Sequence, residues 1–193
     1  MTGFPLTLKG ARIELRTLEP VFENAQIIYD TVSANREHLL VWVPFASTEI
    51  TGKPEDSFTF LLKMSKYRKD ETGYGFGIFR EGRYIGNISI FDISKEKKSG
   101  EIGYWLAKDA TGKGYAAEAV KLIEDASFAI LGLNRIQIKC DSLNISSSKL
   151  TERLNYHLDG ELRQDAISKD GSFRNTFIYS KLKSEWEAEN KKI

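Results

Sequence analysis

The stretch Ala107-Lys108-Asp109-Ala110-Thr111-Gly112-Lys113-Gly114-Tyr115-Ala116-Ala117 carries the strongest chemical signal in the chain. It lies between a strand pattern and a helix pattern. Glycines at 112 and 114 free the backbone to turn its N–H groups outward. A helix start adds partial positive charge, so the turn suits a phosphate or pyrophosphate. The same two glycines would also serve a plain tight turn and helix cap. A Walker loop does not fit: Ala107 stands where its first glycine belongs, and Gly114 follows Lys113 where Ser or Thr is required. A dinucleotide fingerprint matches formally as Gly112-x-Gly114-x-x-Ala117, with Asp141 ending the next strand. That fingerprint needs the strand to run straight into the first glycine, and here Ala107 to Thr111 intervene. A nucleotide oxidoreductase is therefore the minor reading.

Thr111-Gly112-Lys113-Gly114-Tyr115-Ala116 resembles the acetyl-CoA pyrophosphate loop of the GNAT N-acetyltransferases, whose pattern is Gln/Arg-x-x-Gly-x-Gly/Ala. Thr111 departs from that pattern at its first position. Further matches run in the right order along the chain. Glu101-Ile102-Gly103-Tyr104-Trp105 is similar to the strand before the loop, and Leu133-Asn134-Arg135-Ile136 to the entry of the next strand. Asn144-x-x-Ser147 followed by Leu154-Asn155-Tyr156 resembles the family's Asn-x-x-Ser helix and its closing Gly-Phe. Asn155 replaces the glycine, and Asn enters the left-handed conformation readily. Trp42-Val43-Pro44-Phe45 and Tyr179-Ser180-x-Leu182-x-x-Glu185-Trp186 resemble one branch, the ribosomal-protein N-terminal acetyltransferases of RimJ/RimL type.

The resemblance implies an α+β fold with a single mixed, mostly antiparallel central sheet flanked by helices. It implies direct transfer of acetyl from acetyl-CoA to a primary amine, foremost the N-terminal α-amine of a protein such as a ribosomal protein. It also implies a cosubstrate site at Gly112, Lys113, Gly114, Tyr115, Ala116 and Ala117. Backbone groups of Trp105, Leu106 and Ala107 would meet the pantetheine arm, as an opened strand edge meets a peptide. Asn144 would touch that arm or the substrate, and Trp42 and Phe45 would face the acceptor. A small amine (polyamine or antibiotic) is the alternative acceptor, and a non-catalytic acyl-CoA-binding module the alternative class.

Such a transfer needs a neutral amine, a donor for the developing oxyanion and a proton for the departing thiolate. Glu101 is the candidate base, against the plain fate of a surface carboxylate, shared by most of the 27 acids. Ser147 is the candidate acid, against a capping role in the run Ser146-Ser147-Ser148. Thr151 stands where many relatives carry a tyrosine. Cys140, the single cysteine, reads as a buried core residue rather than a nucleophile. His38 and His157 have no visible partners, and no metal ligand set emerges.

These residues need elements to place them. Arg12 to Arg16 alternates as a strand. A helix follows Pro20, carrying Phe22, Ala25, Ile28 and Val32 on one side. Leu39 to Thr51 reads as a loop with exposed or semi-exposed aromatics. Helical spacing of Phe58, Leu61, Leu62 and Ser65 predicts a second helix from Pro54 to Asp70. Strands over Tyr74–Arg80, Tyr84–Ile93 and Gly100–Leu106 form an antiparallel meander, turning first at Glu81-Gly82-Arg83. A long helix spans Lys113 to Leu131 with Ala116, Ala119, Val120, Ile123, Ala126 and Ile130 inward, and Gly132 ends it. A strand at Arg135–Cys140, a short helix at Ser146–Leu154, and strands near Tyr156–Arg163 and Ser172–Lys183 complete the pattern. The charged tail from Ser184 to Ile193 is expected to fray.

The 193 residues make one domain, 1–193, with 41 % hydrophobic residues and 28 % charged ones. A net charge of +1 argues against bulk binding to nucleic acid or anionic membrane. One cysteine excludes a disulfide framework. No apolar run nears a membrane span, and Met1 to Gly10 lacks the form of a secretory signal, so a cytoplasmic protein is expected. A homodimer is compatible with all of this.

Overall fold

A computed structural model describes residues 3–191. One eight-stranded sheet runs through it in the order β1-β2-β3-β4-β5-β6-β8-β7. The strands are β1 Thr7–Lys9, β2 Glu14–Arg16, β3 Tyr74–Arg80, β4 Arg83–Ser94, β5 Ser99–Leu106, β6 Arg135–Asp141, β7 His157–Ile167 and β8 Phe173–Leu182. Helices α1 Phe22–Ala34, α2 Arg36–Leu39 and α3 Pro54–Lys69 precede the meander. Helices α4 Tyr115–Ala129, α5 Ile145–Arg153 and α6 Lys183–Asn190 follow it. All strand pairings are antiparallel except β5 with β6.

Strand alternation splits the core into two layers. On one face Ile88, Ile90, Ile102 and Ile136 pack with Val120, Ile123 and Phe128 of α4. On the other, Phe79, Tyr84 and Trp105 pack with Ala25, Ile28 and Val32 of α1 and Leu61 of α3. The expected meander and its Glu81-Gly82 turn are present, with both turn residues at positive φ.

Four expectations need correction. Strand β1 was not anticipated, because three residues are too few to show a period. Leu39–Thr51 is not plain loop: α2 ends at Leu39 and a 3-10 turn spans Pro44–Ala46. Leu62 and Ile130 are exposed, at 48 % each, and Phe128 takes the inward place at the end of α4. The tail does not fray through Asn190. It forms α6, with the Trp186 ring 5.5 Å from Phe128 and its indole N–H donating to Asp125 at 2.5 Å. One aromatic anchor in a charged stretch is a weak periodic signal, which is why the helix is invisible in the pattern.

Candidate active site

The parallel ladder between β5 and β6 is short. It joins Ser99, Gly100 and Glu101 to Arg135, Ile136 and Gln137, then stops. Beyond it β5 stays with β4 as far as Leu106, and β6 stays with β8 as far as Asp141. The strands therefore part, and a cleft opens immediately after Glu101. The N–H of Ala107 donates to the Ile85 carbonyl at 2.8 Å, on the β4 side. With a period of two, Trp105 also turns its backbone toward β4, and Tyr104 and Leu106 turn theirs into the cleft. Of the three residues expected to offer backbone groups there, Leu106 does so and Tyr104 joins it.

At the end of β5 the chain passes a 3-10 turn, Lys108–Ala110, and reaches the glycines. Asn35, at the end of α1, accepts the Lys108 N–H at 2.8 Å and fixes the approach. Gly112 and Gly114 both lie at positive φ, 72° and 81°, and Gly114 is the N-cap of α4. No acceptor among the described residues takes the N–H groups of Gly112 to Ala117; the first helical bond is Glu118 N–H to the Gly114 carbonyl. Sequence reasoning missed what holds this loop. Arg12 donates from Nη1 to the Lys113 carbonyl at 2.8 Å, and from Nη2 to the Gly114 carbonyl at 3.4 Å. It also pairs with Glu118 at 2.8 Å. A planar peptide points its C=O and N–H in opposite directions. Holding those two carbonyls on Arg12 aims the N–H groups of Gly114 and Tyr115 away from it, toward an incoming anion. Orphan N–H groups at a helix start fit a ligand with pyrophosphate oxygens.

The proton-handling residues flank the cleft. Glu101 sits at its mouth, with the side chain 13 % exposed. Its Oε2 accepts from Gln137 Nε2 at 2.8 Å and pairs with Lys139 Nζ at 3.0 Å. Its Oε1 has no hydrogen-bond partner among the described residues. On the far bank, the Asn144 side chain accepts the Ser147 N–H at 3.1 Å and so caps α5. The Ser147 hydroxyl meets the Tyr104 hydroxyl at 2.9 Å, which ties α5 to β5 across the gap. Burial pushes the Tyr104 phenol up to about 12, against a smaller opposing effect from Ser147. Tyr104 escaped the sequence reading because its partner, Ser147, lies 43 positions further along the chain. Thr151 is fully buried and its hydroxyl bonds to the Ser148 carbonyl at 2.7 Å, so it stays within its helix. Cys140 is 9 % exposed, and burial pushes its thiol up.

Trp105 faces the α1–α3 layer, with the Tyr84 and Phe45 rings each 6.0 Å away. Phe45 thus packs on the strand that carries Glu101, and Trp42 stands 36 % exposed beside that segment. Arg36 secures the segment, donating to the carbonyls of Ala46 and Thr51. Asn155 takes φ 58°, the left-handed conformation expected where the family carries glycine. No group of three or more His, Cys, Asp or Glu among the described residues could hold a metal ion. No described helix is long and apolar enough to cross a membrane.

A parted parallel strand pair leading into a glycine-capped helix is the arrangement expected of an acyl-CoA-dependent acyltransferase. A family profile described as an acetyltransferase (GNAT) domain matches residues 12–157. The chain belongs to that family, and it is an acetyl-CoA-dependent N-acetyltransferase. It is 30 % identical over 179 residues to YdaF of Bacillus subtilis, provisionally named a ribosomal N-acetyltransferase, covering 92 % of this chain and 94 % of that one. It is 28 % identical over 169 residues to the ribosomal-protein-serine acetyltransferase of Escherichia coli, covering 86 % and 91 %. A crystal structure provisionally titled an acetyltransferase superposes with a TM-score of 0.86 at 28 % identity, covering 93 % of this chain and 98 % of that one.

Proposed function

We propose that this enzyme acetylates the N-terminal α-amine of a protein, a ribosomal protein in the first instance, by direct attack within a ternary complex. The observation that carries this reading is the parting of β5 and β6 at Glu101, which sets one carboxylate at the mouth of a cleft lined by free backbone groups. The N–H groups of Gly112 to Ala117 would hold the pyrophosphate of acetyl-CoA, and the edges of Tyr104 and Leu106 its pantetheine arm. Acetyl-CoA supplies an activated thioester carbonyl. Oε1 of Glu101 takes a proton from the incoming ammonium, directly or through water. The neutral amine then attacks the carbonyl carbon as the carbon–sulfur bond breaks. A cleft-facing N–H of Tyr104 or Leu106 stabilises the oxygen that gains charge. Ser147, oriented by the neutral Tyr104 hydroxyl, gives the sulfur its proton and recovers one from the acylated nitrogen, which sheds its second proton as the amide forms, while the proton held by Glu101 passes to water. Cys140 has no part in it.

The charge around the cleft favours a peptide over a polyamine. Glu101 is paired with Lys139, and Asp141 with Arg174 at 3.4 Å. Among the described residues, the two carboxylates at the cleft are thus each compensated by a cation, which suits a single ammonium better than several. The names of the two relatives point to ribosomal acceptors in those proteins. The test is a screen of acetyl transfer to peptide N-termini, spermidine and aminoglycosides, read by mass spectrometry. One acetyl on peptide α-amines is expected, and transfer confined to the small amines would refute the assignment.

A further inference from the structure

The donor turn and the segment that carries Trp42 and Phe45 are fastened at one place in the chain, the junction of α1 and α2. Asn35 ends α1, at φ −118° and ψ 12°, and Arg36 begins α2. The Asn35 amide is fixed from both sides. Its Nδ2 donates to the Thr31 carbonyl at 2.8 Å, and its Oδ1 accepts the Lys108 N–H at 2.8 Å. That N–H opens the 3-10 turn Lys108–Ala110, where the turn itself supplies no acceptor. The Lys108 carbonyl in its turn accepts the Thr111 N–H at 3.2 Å and the Thr111 hydroxyl at 2.7 Å. Thr111, the departure from the family's Gln or Arg, thus closes the turn that leads into Gly112. Arg36 faces the other way. It donates to the carbonyls of Ala46 and Thr51, the latter at 2.7 Å. The Thr51 hydroxyl donates to the Phe45 carbonyl at 2.8 Å, so Arg36 and Thr51 together draw the segment into a closed loop. Adjacent residues therefore hold the two halves of the site, and a single peptide separates them.

We infer that Asn35 and Arg36 couple the two substrates: acetyl-CoA, by ordering the donor turn, orders the acceptor segment through the bond between Asn35 and Lys108. Both are positioning residues. Pyrophosphate oxygens on the N–H groups of Gly112 to Ala117 would fix the turn from one side. A fixed Lys108 N–H holds Asn35, and Asn35 sets the angle at which Arg36 reaches Ala46 and Thr51. Less disorder is then left for the acceptor to remove, so the second substrate binds more tightly. By linkage, the acceptor tightens acetyl-CoA by the same factor. The inference rests on the reading that Trp42 and Phe45 face the acceptor.

Amide hydrogen exchange with acetyl-CoA alone tests it without any acceptor. In wild type, protection should appear over Leu39–Thr51 as well as at the glycine loop. Asn35→Ala removes the acceptor of the bond. Lys108→Pro removes its donor, at a place where proline fits. Ala107 already lies at φ −57° and ψ 145°, the extended form required before proline, and the first position of a helical turn tolerates it. At saturating acetyl-CoA each variant should keep the protection at the glycine loop and lose it over Leu39–Thr51. Each should raise the KM of a peptide acetylated in the screen above by about fivefold or more, with kcat within about twofold. The double variant should do no more than either alone, because one bond is lost in all three. A purely structural role would lower Tm while the exchange pattern and the KM stay as in wild type, and that result would overturn the inference. So would wild type without protection over Leu39–Thr51, protection retained in both variants, or two substitutions whose effects add. Failure of the peptide-acceptor reading looks different: the screen yields small amines alone, and the exchange pattern, read without acceptor, still decides.

Discussion

Glu101 is held on one oxygen only, by Lys139 and Gln137, and that asymmetry leaves Oε1 as the atom that can take a proton. A free α-amine has a pKa near 7.7–8.0, so it is mostly protonated below neutrality. Glu101→Gln keeps the shape and removes the base. The loss should be about 10²–10³-fold in kcat/KM at pH 6.5. It should shrink as pH rises and the amine ionises by itself, with acetyl-CoA affinity unchanged. A pH-independent defect would mark Glu101 as a positioning residue. Gly114 makes a second test. A Cβ there would stand 3.1 Å from Arg12 Nη2, on a backbone already at φ 81°. Gly114→Val should therefore weaken acetyl-CoA binding by about tenfold or more, through strain and a displaced Arg12. Unchanged affinity, measured by calorimetry on a folded variant, would remove this loop from the donor site.

Two elements are secured by partners distant in sequence. Arg12, just before β2, fastens the loop before α4. The Glu118 carboxyl that anchors Arg12 lies below its ordinary range: burial raises it, but hydrogen bonds and charge from Arg12 together outweigh that. Its contribution to stability is thus complete above the unfolded value of about 4.3. It is lost as pH falls through the lower folded value, and Glu118→Gln should flatten that part of the acid-unfolding curve. Helix α6 is docked by Trp186, and it brings Glu189 to the buried Lys181 at 3.0 Å. Lys181 is 1 % exposed and also faces the buried Glu124 at 3.4 Å. Trp186→Ala should cost about 2–3 kcal/mol by lost packing and a weakened ion pair. At this chain length that is a Tm drop of about 4–12 °C. Acetyl-CoA affinity should stay the same, and a variant as stable as wild type would contradict the docking. These contacts explain what the pattern left unread. The long helix over Tyr115–Ala129 and the meander have strong periods. An arginine whose partners lie about a hundred positions away has none.

Across the whole molecule, the order of elements was legible because each strand and helix of the central part repeats its period several times. The glycine loop, Glu101 and Ser147 were legible as residue types at fixed places. Their arrangement was not. That β5 and β6 part at Glu101 follows from which ladder each strand keeps, a relation between segments that no local pattern records. Tyr104 bonds Ser147 across the same gap for the same reason. The account stands on that cleft as the donor site. Amide hydrogen exchange with and without acetyl-CoA tests it directly. Protection should appear together at the free N–H groups of Gly112 to Ala117 and at Tyr104 and Leu106, while Trp105 and Ala107, already paired with β4, change little. Protection confined to another face, or to the glycine loop with no change along β5, would contradict it.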